Sequence, residues 1–330
     1  MTGKVFKLSV VLSLLAGCAR NAIQDSNAPW QPDVKLSGLA KLFETGKTRR
    51  IIVNADGPGD FNSIQEAIDS IGKDNSERVV VLIKPGFYKQ RVLIPKNKPF
   101  ITLQGADPYK TIISYNLNHD MNKPDGSGIY RSDCATLIVD SNDLIMENLT
   151  IENTFGPHPQ ALAARLISER AIVVNCRFLG GQDTLMANSG RHYYLNCYIE
   201  GGTDFIYGYS QAVFYSCRVT TADGIMTDLG RPWRPYAKVV YYDCWLDKGI
   251  KPAGWDNWRD PNREKTAFYA EYKSSGPGAN PSLRVKWSHQ LTDVEAKKFL
   301  PGNFMKLDGK TVDPWLREIL DFRKTTALKN

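Results

Sequence analysis

The sequence predicts an all-β protein in which short strands stack as successive coils of a parallel β-helix. Between residues 79 and 151 the chain is a series of short apolar runs separated by Gly, Pro, Asn and Asp, and helical patterns do not alternate with them. Later segments repeat an apolar run, a small polar residue and a cysteine, which places Cys176, Cys197, Cys217 and Cys244 at nearly regular intervals. Periods in the low twenties are typical of coils that stack and bury a common interior.

Two aspartates follow the same repeat. Asp183 and Asp204 each follow a glycine pair, and their separation in the sequence equals that between Cys176 and Cys197. If the cysteines stack, the aspartates stack too, about 4.8 Å apart on one external face. Because two carboxylates at that distance cannot both ionise freely, we expect the pKa of one of them to rise. Such a pair supplies the proton donor and the anion of acid/base or covalent chemistry. Two solvated turn aspartates are the alternative interpretation.

The composition is that of a globular protein with a modest positive charge. The chain has 330 residues and a mass of 37.0 kDa, with 42% hydrophobic and 23% charged residues. A formal net charge of +7 favours an anionic partner such as an acidic polysaccharide. Lysines and arginines are scattered along the chain, so nucleic acid is not predicted as a partner. Residues 48–330 are predicted to form one catalytic β-helix domain.

The first residues resemble an export signal. Lys4 and Lys7 precede an apolar run, Leu8–Ala16, that is too short to span a bilayer. We therefore interpret residues 1–17 as a signal peptide. The small residues before Cys18 resemble a bacterial lipobox, which predicts a lipid on Cys18, a tether or loosely packed lead-in over residues 18–47, and a place in the cell envelope as an outer-membrane lipoprotein. A plain signal peptide followed by secretion is the alternative.

Three helices are predicted beside the strands. A Ser-x-x-Glu capping box begins an amphipathic helix predicted over Phe61–Gly72, and a Thr-x-x-Glu box begins another over Thr292–Leu300. Apolar residues at helical spacing predict a further helix over Pro314–Phe322. The C-terminal helices are expected to cover the end of the stack. The five cysteines after Cys18 are expected to be interior and reduced, because parallel Cβ vectors on neighbouring coils do not suit disulfide geometry.

Several sequence blocks together resemble the signature blocks of the pectin methylesterase family. The strongest matches are Gly181–Leu185, Gly202–Gly208 and Leu229–Trp233, and weaker ones are Gly156–Ala161, Tyr269–Tyr272 and Gly276–Ala279. The resemblance runs from about Ile51 to Phe322. It implies a right-handed parallel β-helix, in agreement with the repeat, and the hydrolysis of galacturonate methyl esters of pectin through an aspartate acyl-enzyme. With the lipobox, it identifies the chain as similar to bacterial lipoprotein members.

The resemblance also implies roles for individual residues. Asp204 matches the family's nucleophile, Asp183 its acid/base, and Arg231 the arginine that pairs with the nucleophile. Gln160 and Gln182 match the two glutamines that stabilise the oxyanion. Trp233 matches a residue of the sugar cleft, and we expect nearby aromatic side chains to line the same cleft, with a place in the core as the alternative. The aromatic residues expected there are Trp233, Phe205, Tyr207, Tyr236, Trp255 and Trp258.

The sequence predicts no metal and no cofactor. The four histidines, His119, His158, His192 and His289, are dispersed and do not form a metal-binding motif. A partial serine-hydrolase elbow at Gly208–Ala212 lacks its final glycine and is discounted. The predicted partner is methyl-esterified homogalacturonan, as pectin or oligomers. Membrane contact is expected only through a lipid on Cys18, and a monomer is expected.

Three alternatives stay open at the level of sequence. A glycosidase on the same scaffold would also use paired aspartates, but it would produce new reducing ends instead of methanol. A relative turned to another ester or thioester of the cell envelope would keep the same residues and change the substrate. A non-catalytic polysaccharide-binding β-helix would bind pectin without turnover, and the set formed by Asp183, Asp204 and Arg231 argues against it.

Overall fold

The chain winds into a right-handed parallel β-helix. A computed structural model describes residues 29–39, 41, 44, 46–121, 126–128 and 131–305. The predicted signal peptide over residues 1–17, Cys18 and the predicted helix Pro314–Phe322 lie outside the described residues. The described strands form three sheets of ten, seven and five strands, and every strand pair is parallel. The predicted all-β fold class is confirmed.

The ten-stranded sheet is the longest face of the helix. Its strands follow the order β1-β2-β5-β8-β11-β14-β17-β19-β21-β22, so that each coil adds one strand to the sheet. The strands are β1 (Arg49–Val53), β2 (Val79–Ile83), β5 (Ile101–Gly105), β8 (Ile145–Glu147), β11 (Ala171–Val174), β14 (Arg191–Leu195), β17 (Gln211–Tyr215), β19 (Lys238–Tyr242), β21 (Phe268–Tyr272) and β22 (His289–Gln290).

The other two sheets complete each coil. The seven-stranded sheet contains β3 (Gly86–Lys89), β6 (Thr111–Tyr115), β9 (Thr150–Asn153), β12 (Arg177–Leu179), β15 (Tyr198–Gly201), β18 (Arg218–Thr221) and β20 (Trp245–Leu246). The five-stranded sheet contains β4 (Val92–Ile94), β7 (Leu137–Val139), β10 (Ala164–Ile167), β13 (Leu185–Ser189) and β16 (Ile206–Tyr207). Its edge strand β16 pairs with β13, which brings the two aspartate-bearing corners together.

The strand register confirms the sequence repeat. Strands β11 and β14 pair Ala171 with His192, and β14 and β17 pair Arg191 with Gln211. The next coil pairs Gln211 with Lys238. The sequence offsets between these partners equal the three successive cysteine spacings, because each cysteine lies at the same point of its coil.

The small polar residue before each cysteine turns the chain from the ten-stranded to the seven-stranded sheet. Asn175, Asn196, Ser216 and Asp243 have φ values of 51, 49, 51 and 56°. Asn and Asp adopt this left-handed conformation more readily than other residues with a side chain. The Asn196 side chain also donates to that of Asn175 at 2.8 Å, which links neighbouring corners. The polar residue of the repeat is therefore a corner residue.

The cysteines form an interior column, as predicted. Cys176, Cys197, Cys217 and Cys244 are completely buried, and the structure contains them as free thiols. The backbone N–H of Cys197 lies 3.4 Å from the Cys217 sulfur one coil away. Burial raises the pKa of the Cys176 and Cys217 thiols, so they stay protonated and pack as small apolar groups.

Short helices cover parts of the stack. The N-terminal helix is confirmed: Ser63 caps it by accepting from the Glu66 N–H, and it ends at Asp69, short of the predicted Gly72. The predicted Thr292 capping box is present in full. After it, Ala296, Phe299 and Leu300 pack on the outer face of the ten-stranded sheet, and not over the end of the stack as predicted. The described helices are α1 (Ile64–Asp69), α2 (Asn262–Thr266), α3 (Asp293–Ala296) and α4 (Pro301–Phe304), with 3-10 turns at Arg131–Cys134, Pro281–Leu283 and Lys297–Phe299.

The lead-in before the first strand differs from the prediction of a loose tether. Trp30 and Leu36 are buried at 7% and 5% exposure. The backbone N–H of Asp33 donates to the Asn175 side chain at 3.1 Å, and that side chain donates back to the Asp33 carbonyl at 3.0 Å. The corner asparagines therefore bind the backbone of this segment, and residues 29–39 form part of the packed structure.

Across the described residues, no helix combines the length and apolar character that a membrane span requires.

Candidate active site

An open cleft of about 740 Å³ contains both aspartates of the repeat. It lies against the five-stranded sheet, where β13 and β16 begin. Of the residues predicted from the motifs, the cleft collects both carboxylates, both glutamines and the arginine. Its lining consists of His119, Ser132, Gln160, Gln182, Asp183, Met186, Asp204, Tyr207, Arg231, Trp233 and Trp258.

Asp183 and Asp204 occupy equivalent corners of neighbouring coils. Their φ values are 67 and 52°, so both lie in the left-handed region that lets the chain turn from the seven-stranded into the five-stranded sheet. The strands that follow them pair Leu185 with Ile206, which is the same offset as that between the aspartates. The Asp183 N–H donates to the carbonyl of Thr203 at 3.0 Å. Parallel stacking thus places both carboxylates on the cleft face, as the repeat predicts.

Arg231 forms a two-point ion pair with Asp204. Its Nε donates to Oδ1 of Asp204 at 2.7 Å, and its Nη2 donates to Oδ2. The hydrogen bond to Asp204, opposed by partial burial, raises the pKa of the Arg231 guanidinium above its ordinary value. The guanidinium carbon also lies 4.3 Å from the ring centre of Trp258. These contacts fix the orientation of the Asp204 carboxylate.

Gln160 and Gln182 lie on neighbouring coils. The N–H of Ala161 donates to the backbone carbonyl of Gln182 at 3.1 Å, and both glutamines line the cleft beside the aspartates. The side-chain oxygen of Gln182 lies 3.0 Å from Nδ1 of His158. Because amide N–H groups are hydrogen-bond donors, two of them near a carboxylate pair can stabilise an anion formed in the cleft.

Tyr207 and Trp233 form the aromatic wall of the cleft. Their rings meet edge to face, with centroids 6.2 Å apart. Burial, followed by the charge of Asp183, raises the pKa of the Tyr207 hydroxyl far above its ordinary value, and that hydroxyl also hydrogen-bonds with Asp183. Tyr207 is therefore a neutral donor beside the second carboxylate. An aromatic wall next to polar groups suits a sugar ring, which has both apolar and polar faces.

Three aromatic residues predicted to line the cleft do not do so. Phe205 is completely buried in the main core, because the residue after the Asp204 corner points inward. Trp255 is 1% exposed and packs against Tyr269 with ring centroids 4.4 Å apart. Tyr236 is 75% exposed and lies on a separate shallow groove of about 380 Å³. The prediction that Phe205, Trp255 and Tyr236 line the cleft is therefore wrong, whereas Tyr207, Trp233 and Trp258 do lie along it.

The cleft also contains residues that sequence reasoning missed. Met186 pairs with Tyr207 across β13 and β16, so the repeat that aligns the aspartates also aligns these two residues and could have indicated Met186. His119 and Ser132 come from the connection between β6 and β7, which has no counterpart in the repeat. No local signal in the sequence connects them with the cleft.

The fold and the site together define a class of protein. It is a parallel β-helix with two stacked carboxylates, one of them paired with arginine, in an open cleft with amide donors and an aromatic wall. A family model for Pectinesterase matches residues 50–228 and 221–309. The chain belongs to the pectinesterase family, and it is therefore a carboxylic ester hydrolase.

Individual relatives agree with this assignment. The chain is 36% identical over 306 residues to Pectinesterase 31 of Arabidopsis thaliana, covering 82% of this chain and 95% of that protein. It is similar to the pectin methylesterase from carrot, with a TM-score of 0.69, 29% identity, and coverage of 84% of this chain and 97% of the other. A pectin methylesterase variant in complex with a hexasaccharide has a TM-score of 0.66 and 25% identity, covering 81% of this chain and 100% of the other. These comparisons support membership of the pectinesterase family. They do not support the interpretation of the chain as a bacterial lipoprotein with a lipid on Cys18.

Proposed function

We propose that this chain hydrolyses the methyl esters of galacturonate units in pectin and releases methanol. The observation that carries the proposal is the two-point ion pair of Arg231 with Asp204, one coil away from Asp183 in the same cleft. The solved relative in complex with a hexasaccharide supports an oligosaccharide substrate of similar size. An open cleft suits a polymer, because a long chain can enter it without threading.

The proposed reaction proceeds through an acyl-enzyme. A carboxylate oxygen of Asp204 attacks the ester carbonyl carbon, and negative charge develops on the carbonyl oxygen. Gln160 and Gln182 donate N–H groups to that oxygen, and one such donor typically contributes about 3 kcal/mol to transition-state stabilisation. The bond to the methoxy group then breaks, and the methoxy oxygen takes the Asp183 proton to leave as methanol.

The second half of the reaction restores the enzyme. Water attacks the carbonyl carbon of the mixed anhydride on Asp204, and Asp183 takes a proton from that water. The bond between the acyl carbon and the Asp204 oxygen breaks, which releases galacturonate and the Asp204 carboxylate. Arg231 holds this carboxylate in position throughout. Acid/base assistance of the kind assigned to Asp183 usually contributes about 10² to 10⁴ in rate.

Methanol release from methylated pectin by the purified chain tests this proposal, with Asp204→Asn as the matched variant. We expect the wild type to release methanol without shortening the polymer, and Asp204→Asn to lose this activity while keeping its melting temperature. New reducing ends would show a glycosidase instead. Tight binding of pectin without turnover would show a polysaccharide-binding protein. Hydrolysis of another ester, with no hydrolysis of pectin, would favour the alternative of an esterase that acts on the cell envelope.

We also propose that residues 1–17 direct export, that Cys18 carries a lipid, and that the enzyme acts as a monomer in the cell envelope. The apolar run before Cys18 and its small residues support the lipid, and a cleft built from one chain supports the monomer. Labelling with palmitate should mark the wild type and not Cys18→Ser. Label in both proteins, or in neither, would contradict the lipid anchor. Light scattering of the soluble Cys18→Ser variant should give the monomer mass.

A further inference from the structure

His158 contacts the glutamine that the proposed mechanism uses as an oxyanion donor. Its Nδ1 lies 3.0 Å from Oε1 of Gln182. The preceding residue, Pro157, accepts a hydrogen bond from the Gln182 backbone N–H at 3.1 Å. Two consecutive residues of one segment therefore hold both the backbone and the side chain of Gln182.

The chemistry of this contact determines which way the amide of Gln182 faces. An amide oxygen can only accept a hydrogen bond, so Nδ1 of His158 must carry the hydrogen. Because Oε1 of Gln182 is bound to His158, the Nε2 group of Gln182 faces the cleft. A rotated amide would instead turn its oxygen toward the developing oxyanion and repel it. The contact therefore distinguishes a productive from an unproductive orientation of Gln182.

Gly181 permits the close approach that makes the contact. A Cβ atom at residue 181 would lie 2.2 Å from the carbonyl oxygen of Gly156 and 2.7 Å from Cα of Pro157. Any side chain there would push the 156–158 segment away from Gln182. The glycine next to Gln182 is thus matched to the segment that carries His158.

We propose that His158 is a positioning residue, which holds the Gln182 amide with its N–H groups toward the cleft. This inference rests on the proposed function. His158 does not touch the reacting atoms and acts only through Gln182. Its loss should therefore lower kcat and leave KM nearly unchanged, because the amide contributes most when charge develops on the substrate.

Three substitutions at residue 158 separate positioning from simple structural support. His158→Asn places an amide nitrogen near the position of Nδ1 and keeps the donor, so kcat should stay within about 3-fold of wild type. His158→Leu removes the donor and should lower kcat about 10-fold. His158→Asp supplies an acceptor that attracts Nε2 and reverses the amide, so kcat should fall about 100-fold, the effect of losing one oxyanion donor. His289→Leu, at an exposed histidine of β22, is the matched control and should behave as wild type.

The combination with Gln182→Ala tests whether the effect passes through Gln182. In that background, His158→Leu should cause no further loss of kcat, because the group it positions is absent. A wild-type kcat for His158→Leu, equal losses in the Asn and Leu variants, or an additive loss in the double variant would overturn the inference. If the wild-type chain itself releases no methanol from pectin, the proposed function fails and the catalytic part of this inference fails with it.

The hydrogen on Nδ1 can be observed without any activity. The chain has four histidines, so ¹⁵N-histidine labelling gives few signals, and the one lost in His158→Asn belongs to residue 158. In the neutral form of that ring, Nδ1 should carry the hydrogen and Nε2 should be bare. The opposite tautomer would contradict the contact, whatever the enzyme does with pectin.

Discussion

Arg231 and Asp204, distant in sequence by one coil of the β-helix, form an ion pair in which two guanidinium nitrogens donate to the two oxygens of one carboxylate. The pair joins neighbouring coils and places a fixed carboxylate in an open cleft. Its planar two-point geometry requires arginine, because lysine offers only a single charged nitrogen. The relationship therefore connects the winding of the fold directly to the chemistry of the site.

Replacement of Arg231 by lysine should keep the positive charge but lose the two-point contact that aligns the Asp204 carboxylate. We expect kcat for methanol release to fall about 10- to 100-fold, since a charge-assisted bidentate contact contributes about 1.5–3 kcal/mol. The melting temperature should change little, because Arg231 is partly exposed. Arg234→Lys, on the ring face of Trp233, is a suitable control. An Arg231→Lys enzyme with wild-type kcat would show that orientation of Asp204 does not matter.

The thiols of the interior should be inaccessible in the native protein. The five described cysteines are free and buried, and burial raises the pKa of Cys134, Cys176 and Cys217. In a Cys18→Ser protein, Ellman's reagent at about pH 8 should therefore react with none of them before denaturation and with all five in guanidinium chloride. Fewer than five thiols after denaturation would indicate a disulfide, and rapid native reaction would contradict the packed column.

The stability of the protein should fall as the pH decreases from about 6.5 toward 4, because of His192. This side chain is completely buried and its Nε2 donates to the Ser189 carbonyl at 2.8 Å. Burial lowers its pKa to about 4, although the Ser189 and Ser168 carbonyls and the charge of Glu169 oppose the shift. As the pH falls, His192 therefore binds its proton in the unfolded chain before it does so in the folded protein. The free energy of unfolding decreases by about 3 kcal/mol over this pH window.

Urea unfolding of wild type and His192→Gln at pH 7 and pH 4.5 measures this loss. The glutamine keeps a donor near the Ser189 carbonyl and does not titrate, so the variant should lose less stability between the two pH values. His289→Gln, at an exposed position, should retain the wild-type pH dependence. An identical pH dependence in wild type and His192→Gln would exclude His192 as the cause.

Gly208 should be intolerant of a side chain. Its φ is +122°, and a Cβ there would lie 1.9 Å from the carbonyl oxygen of Ala187 on the preceding coil. Gly208→Ala should therefore lower the free energy of unfolding by about 2 kcal/mol or more, from backbone strain and the displaced strand. Gly72→Ala is the matched control, because a Cβ at residue 72 has no atom within 4 Å. Equal stability of the two variants would contradict the close packing of these coils.

Much of the site could be predicted because a β-helix converts equal sequence offsets into spatial neighbours. One constant offset places Asp204 beside Asp183 and also pairs Tyr207 with Met186. Side-chain direction at the corners is harder to predict. Asp204 lines the cleft and the next residue, Phe205, is buried in the core. Ile206 is buried in the same core, so strict alternation does not continue through this corner.

The sequence by itself determined the coil repeat, the stacked aspartates, the interior cysteines and the capped helices, since each depends on local chemistry or on a constant period. Only the tertiary structure decided that residues 29–39 pack on the corner asparagines, that Tyr236 lies outside the cleft, and that His158 reaches Gln182. The physical reason is that these placements involve segments that do not follow the coil repeat. Their meeting depends on the lengths of insertions and on how closely two backbones approach, as at Gly181.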